Sequence, residues 1–220
     1  MNEDEFKQFK TTLEQKGVRL VAVSKVHPIE RLRTFYERGQ RVFGENRAQE
    51  MAGKYDELPN DVEWHMIGPL QTNKVKYIID FVHMIESVDR LKVLKEIQKR
   101  ASRIDRSINV LIQVHIAEEE QKHGFGYEEA LEVIAQKDKY PNVAFRGFMG
   151  MATLTDDESK IKKEFCSLRD LFKQVQDQNP DWKGFDTLSM GMTGDYKIAL
   201  SCGANCVRIG SKIFGPRPKN

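Results

Sequence analysis

Cysteine is scarce in this chain: Cys166, Cys202 and Cys206 are the only three in 220 residues. Three thiols make no even set for a disulfide framework, and their spacing fits no zinc motif. Cys202 and Cys206, four apart, are expected as two buried thiols near a helix–strand junction. Long apolar runs are missing too, and none approaches the roughly 20 residues that a membrane helix needs. The opening Met1-Asn-Glu-Asp-Glu-Phe6 is acidic and has no apolar centre, which argues against a signal peptide. Nor is there an excess of charge of one sign: 35 Lys and Arg face 33 Asp and Glu, a net charge of +2. That balance gives no footprint for nucleic acid or for an anionic membrane surface. No P-loop is present, and no carboxylate pair or His/Cys cluster has metal-ligand spacing, so no metal is expected. A cytoplasmic protein without membrane or nucleic-acid partners is the simplest expectation.

What is there is a regular alternation. Apolar runs rich in Val and Ile recur at Val18–Lys25, Val42–Asn46, Trp64–Leu70, Val82–Val88, Ile108–Ile116, Phe145–Ala152, Thr187–Gly191 and Cys206–Gly210. Between them lie segments with apolar residues at helical spacing, such as Ile29, Leu32, Phe35 and Tyr36, or Ile161, Phe165, Leu168, Phe172 and Val175. Thr72, Asp89 and Asp156 or Asp157 are the expected helix caps. A further amphipathic helix over 3–16 precedes the first strand and ends at Gly17. Strict alternation implies parallel strands joined by right-handed crossovers. Eight such units point to a closed (β/α)8 barrel with an extra N-terminal helix, in one domain over 1–220. An open doubly wound sheet is the alternative, but no G-x-G-x-x-G follows the first strand.

In a barrel, chemistry gathers at the carboxyl ends of the strands. Those ends carry Lys25, Asn46, His65, Ser87, His115, Met149, Ser189 and Arg208. Taken singly, each has an ordinary structural explanation. Lys25 either reaches solvent from its strand end or sits as an amine in a pocket suited to Schiff-base chemistry. His65 and His115 beside apolar runs fit hydrogen-bonded core histidines, and Ser87 fits a local cap. The run Glu118–Glu120 reads as a solvated loop. The stretches Ser189-Met-Gly-Met-Thr-Gly194 and Arg208-Ile-Gly-Ser211 each place Gly and Ser after a late strand. That pattern serves either tight turns or an anion, to which glycine backbone gives close approach. Barrel closure makes the first and last strands neighbours. An amine beside a phosphate cup is the minimal kit for pyridoxal phosphate.

Several segments carry a specific resemblance. They are Ala22-Val-Ser-Lys-Val26, Phe43-Gly-Glu-Asn-Arg47, Trp64-His-Met-Ile-Gly-Pro-Leu-Gln-Thr-Asn-Lys74, Glu86-Ser-Val-Asp-Arg90, Lys122-His-Gly-Phe125, Gly147-Phe-Met-Gly-Met151, Leu188-Ser-Met-Gly-Met192 and Val207-Arg-Ile-Gly-Ser-Lys-Ile-Phe-Gly215. In this order, from about residue 18 to 217, they resemble the pyridoxal phosphate homeostasis proteins, single-domain relatives of the alanine racemase N-terminal barrel. The resemblance implies pyridoxal 5'-phosphate held as an aldimine on Lys25, with Ser189, Met190, Gly210 and Ser211 around its phosphate. It points Arg208 at the pyridine nitrogen and lines the ring with Asn46 and His65. It implies a role in vitamin B6 homeostasis, with delivery of the cofactor to apo forms of pyridoxal phosphate enzymes or to free amino acids. Alanine racemases add a second, β-rich domain that supplies a catalytic tyrosine. Its expected absence here leaves no residue assigned to catalysis, and a minimal racemase-like enzyme as the alternative.

Overall fold

Parallel pairing runs through all eight strands of this computed structural model, which describes residues 1–118 and 123–216. The strands are β1 Arg19–Val23, β2 Val42–Glu45, β3 Glu63–Met66, β4 Met84–Val88, β5 Ile108–Gln113, β6 Val143–Met149, β7 Thr187–Ser189 and β8 Cys206–Ile209. They follow one another in chain order around a closed barrel, and β1 pairs with β8 through Arg19↔Cys206, Leu20↔Val207, Val21↔Arg208 and Ala22↔Ile209. This is the expected (β/α)8 barrel, and closure excludes the open sheet. The helices are α1 Glu3–Glu14, α2 Ile29–Glu37, α3 Ala48–Tyr55, α4 Leu91–Arg103, α5 Tyr127–Ala135, α6 Glu158–Gln178, α7 Tyr196–Ser201 and the single turn α8 Ser211–Phe214. Lys122 and all but Glu118 of the acidic run lie outside the described residues, as does the end of the Pro-rich tail. Among the described residues, no helix is long and apolar enough to cross a membrane.

Strand alternation sorts the buried side chains into two compartments. Leu20, Ala22, Phe43, Trp64, Ile85, Val110, Phe148 and Val207 point outward and join the helices in the main core. Packing of a pleated strand against amphipathic helices dictates this layer. The inward residues form a separate, small apolar cluster of Met84, Leu111 and Met149. Around it the registers place buried polar groups: His65 pairs in register with Met84, and Ser189 with Met149 and Cys206. The barrel interior is therefore mixed, with charge at its centre.

Local details depart from expectation in three places. Between β3 and β4 the chain makes a short 3-10 helix, Thr72–Tyr77, entered from Gln71 and without a side-chain cap. Thr72 is thus the first residue of that turn rather than its cap. Helix α4 begins after Arg90, which makes no side-chain cap bond; Asp89 instead accepts a 2.6 Å bond from the Arg90 guanidinium. Asp157 does cap α6, accepting from the Ser159 and Lys160 amides. Third, Cys166 on α6 and Cys202 at the end of α7 form a disulfide, with Cα atoms 5.0 Å apart. Packing of α7 on α6 brings together residues that sequence spacing separates. Cys206, alone, stays a buried thiol, and burial pushes its pKa up to about 12.

Gly147 shows how tightly β6 and β7 approach. Its φ of +147° is one that side-chain-bearing residues avoid, and a Cβ there would run into the Thr187 carbonyl oxygen. Gly147→Ala should lower the unfolding free energy by about 3 kcal/mol, from backbone strain and displacement of β7. A denaturant midpoint unchanged from the parent would show that the sheet accommodates the methyl group.

Candidate functional site

The turn that carries Lys25 is braced from below. Ser24, fully buried, donates to Glu45 Oε1 over 2.6 Å, and Lys54 Nζ donates to the Ser24 carbonyl at 2.9 Å. Lys54 also meets Glu45 and Glu50, each at 2.8 Å. Glu50 in turn accepts from the Val26 amide at 2.7 Å. Val26 has φ +61°, a left-handed conformation that a β-branched residue adopts only when its surroundings impose it. Here two ion pairs impose it, and they aim the residue before it, Lys25, over the mouth of the barrel. His27 then stacks on Phe214 of α8 with ring centroids 4.9 Å apart.

Lys25 opens into a cavity of about 240 Å³ at the carboxyl ends of the strands. Of the residues expected at the site, Lys25, Asn46, Arg208, Gly210 and Ser211 line it. The β1–β8 register brings these ends together, with Gly210 packed against Val23. The walls also include His27, Met151, Met192, Thr193, Gly194 and Gly215, none of which the sequence singled out individually. The first two follow strands β1 and β6, and the rest belong to loops after β7 and β8. Their signal was the Gly-rich pattern of those loops.

Three expected residues stand elsewhere. Met190 is fully buried in the main core. Ser189 and His65 are fully buried and sit below the cavity, in the barrel interior. There they surround Glu86. His65 Nδ1 lies 2.6 Å from Glu86 Oε1, and Ser189 Oγ donates to Glu86 Oε2 at 2.6 Å. Arg208 Nη1 donates to Ser189 Oγ at 2.6 Å and approaches Glu86 Oε2 at 3.7 Å, while Nη2 donates to the Gly150 carbonyl at 2.9 Å. Burial opposes the charge on Glu86, but bonds from His65 and Ser189 and the charge of Arg208 outweigh it and hold the carboxyl below its ordinary range. Arg208 is thus fixed from beneath, with its far side on the cavity. Ser87 donates to the Gly68 carbonyl at 2.6 Å instead of capping α4, and the His115 amide donates to Phe125.

The sequence overlooked one further group. Glu63 and His65 on β3 and His83 just before β4 offer ligand-type atoms within 4.8 Å of one another. They lie toward the opposite, amino end of the strands.

The family model for the alanine racemase N-terminal domain matches residues 3–218. A pyridoxal phosphate homeostasis protein of Pasteurella multocida is 37% identical over 206 residues, covering 92% of this chain and 88% of the relative. One from Helicobacter pylori is 39% identical over 200 residues, covering 90% of this chain and 87% of the relative. This chain belongs to the pyridoxal phosphate homeostasis protein family. Among solved structures, PipY of Synechococcus elongatus with PLP bound is similar at TM-score 0.84 and 31% identity, over 95% of this chain and 99% of that one. An alanine racemase of Clostridium difficile shares the fold at TM-score 0.75 and 14% identity, over 97% of this chain and 57% of that one.

Glu45 gives the brace under Lys25 a readable pH signature. Burial raises its carboxyl from 4.5 to about 7, against the opposing pull of Lys54 and Ser24. An acid whose folded pKa exceeds its unfolded one binds, in the folded state, a proton that the unfolded chain has already released. Its contribution to stability therefore falls as pH rises from about 4.5 to about 7. Comparing unfolding free energies of the parent and Glu45→Gln across this window should show the parent losing ground to the variant as pH rises, with a constant difference above about pH 8. Parallel curves throughout would mean that Glu45 titrates normally.

Proposed function

We propose that this chain binds pyridoxal 5'-phosphate reversibly in the cavity at the carboxyl ends of its strands, with Lys25 as the covalent anchor. Its role is then vitamin B6 homeostasis: holding the reactive aldehyde and passing the cofactor to apo forms of pyridoxal phosphate enzymes or to free amino acids. The observation that carries this reading is the convergence of the Lys25 amine, the Arg208 guanidinium and the Gly210–Ser211 turn on one cavity. The family membership and the PLP-bound PipY structure support it. When bound, the cofactor supplies an aldehyde that condenses with an amine and a phosphate monoester that needs hydrogen-bond donors.

The chain's residues fit both demands. Lys25 follows a strand whose end two ion pairs brace, so its side chain starts from a fixed point on the cavity rim. Ser211 offers a hydroxyl and Gly210 an unobstructed backbone, a combination suited to phosphate oxygens. Thr193 and Gly194 face the same cavity from the β7 loop and would add donors. Arg208 would meet the ring nitrogen; a guanidinium keeps its proton, so it donates a hydrogen bond without protonating the acceptor. Asn46 would line the ring from β2. Ser189 and His65 act through Arg208 by fixing Glu86 beneath it.

Borohydride reduction of the cofactor-loaded protein, followed by peptide mass spectrometry, tests the reading. Lys25 should carry the reduced adduct, and its visible absorption band should disappear on reduction. In Lys25→Ala the band should be absent while the unfolding free energy stays within about 1 kcal/mol of the parent, because a rim amine contributes little core area. An adduct on another lysine, or none after addition of pyridoxal phosphate to the folded parent, would overturn the assignment.

A further inference from the structure

We propose a second site: Glu63, His65 and His83 form a binding site for a divalent first-row transition metal at the amino-end mouth of the barrel, on the far side of the interior from the cofactor cavity. The central observation is His65. It is fully buried, its Nδ1 is committed to Glu86 at 2.6 Å, and its Nε2 has no hydrogen-bond partner among the described residues. A ring nitrogen buried without a protein partner lacks the water it would otherwise hold, and its lone pair is available to a ligand. A carboxylate on one ring nitrogen fixes the ring orientation and strengthens the other nitrogen as a donor, the arrangement that recurs behind metal-bound histidines.

Two more donors stand beside it. His83 Nε2 and Glu63 Oε2 are 3.4 Å apart, and ligand-type atoms of the three residues all fall within 4.8 Å. A separation of 3.4 Å is long for a hydrogen bond. It matches the edge of a tetrahedron, about 3.3 Å, around a metal with bonds of about 2.05 Å. The rings of His65 and His83 lie nearly parallel, with centroids 5.6 Å apart, and the partly exposed His83 has room to turn its ring so that both nitrogens meet one ion.

Two imidazoles and a carboxylate suit zinc, cobalt, iron or nickel, and do not suit calcium or magnesium. The set leaves one coordination position toward solvent. Arg19, which approaches Glu63 Oε2 at 3.4 Å, has nearly half its side chain exposed and would swing away as the metal enters. The site ties β3 to the start of β4, where few pairing contacts join the strands: the register there rests on His65↔Met84 and Met66↔Ile85.

The test is titration of the untagged, chelator-treated full chain with cobalt(II), read by visible absorption and by equilibrium dialysis with elemental analysis. One equivalent should bind, with ligand-field bands of four- or five-coordinate cobalt, and zinc should displace it. His83→Ala and Glu63→Gln alter partly exposed side chains and should each weaken binding at least tenfold without changing the melting curve of the metal-free protein. Cys206→Ser should leave binding unchanged. The proposal is overturned if the parent binds no cobalt at stoichiometric protein concentrations. It is equally overturned if binding survives in His83→Ala, or follows Cys206.

Discussion

Pairing of β1 with β8 is the constraint on which the rest depends. It closes the barrel, and by doing so it converts two stretches at opposite ends of the chain into one wall. The register Val21↔Arg208 and Ala22↔Ile209 sets Gly210 against Val23, two residues short of Lys25. Nothing local to either stretch specifies that meeting. It follows from seven right-handed crossovers summing to closure. The seam is then locked from outside: Arg31 donates to the Phe214 carbonyl at 2.8 Å, and the rings of His27 and Phe35 pack on Phe214. The N-terminal amine reaches the Ile213 carbonyl at 3.2 Å, so α1 reinforces the same joint. A protein that opened this seam would lose fold and site together.

Charge inside such a barrel is costly unless each group is fully partnered. Glu86 shows how the cost is offset. One oxygen faces His65, and the other accepts from Ser189 and lies near Arg208, so the carboxylate has donors on both sides. Removing any member would strand the rest in low dielectric, which makes the group rigid as a unit. Rigidity is what the cavity above requires of Arg208, a long side chain that would otherwise sample many rotamers. Glu45 is partnered less completely, since one of its oxygens has no hydrogen bond, and burial there wins over Lys54. The difference between two buried glutamates is thus a matter of partners: three spread over both oxygens of Glu86, against two that share one oxygen of Glu45.

Much of this was legible in the sequence. Eight apolar runs separated by helical periodicity imply closure, and the rule that chemistry sits at strand carboxyl ends selects Lys25, Asn46 and Arg208, which line the cavity, along with His65, Ser87, His115, Met149 and Ser189, which do not; the glycine pattern after the last strand adds Gly210 and Ser211. The rest depended on depth and direction. Ser189 and Arg208 both point inward, but Ser189 lies one layer lower, and a strand pattern of period two reports side, not height. His65 falls on the same side for the same reason, and Met190, one residue past Ser189, turns outward into the core. The Lys54–Glu45 pair joins a helix to the strand before it, and Cys166–Cys202 joins two helices. Neither leaves a mark in spacing, because each depends on how helices lie on the barrel. The resemblance named the cofactor kit, but it could not say which of its residues touch the cavity and which hold those that do.

The polar chain through the interior changes what the amino-end mouth means. In a barrel that end commonly serves stability alone. Here His65 has one ring nitrogen on Glu86, which supports Arg208 at the cavity, and the same imidazole belongs to the Glu63–His83 group. Whatever occupies the lower mouth acts on the charge of that imidazole. The effect passes through a bond of 2.6 Å to a carboxylate that touches Ser189 and lies 3.7 Å from Arg208. In so low a dielectric, a change of charge at one end is felt at the other with little screening. The barrel wall isolates this path from solvent along its length, since His65, Glu86 and Ser189 are fully buried and Arg208 nearly so. A single line of side chains therefore joins the two faces of the fold, and Arg208 is where it reaches the cavity.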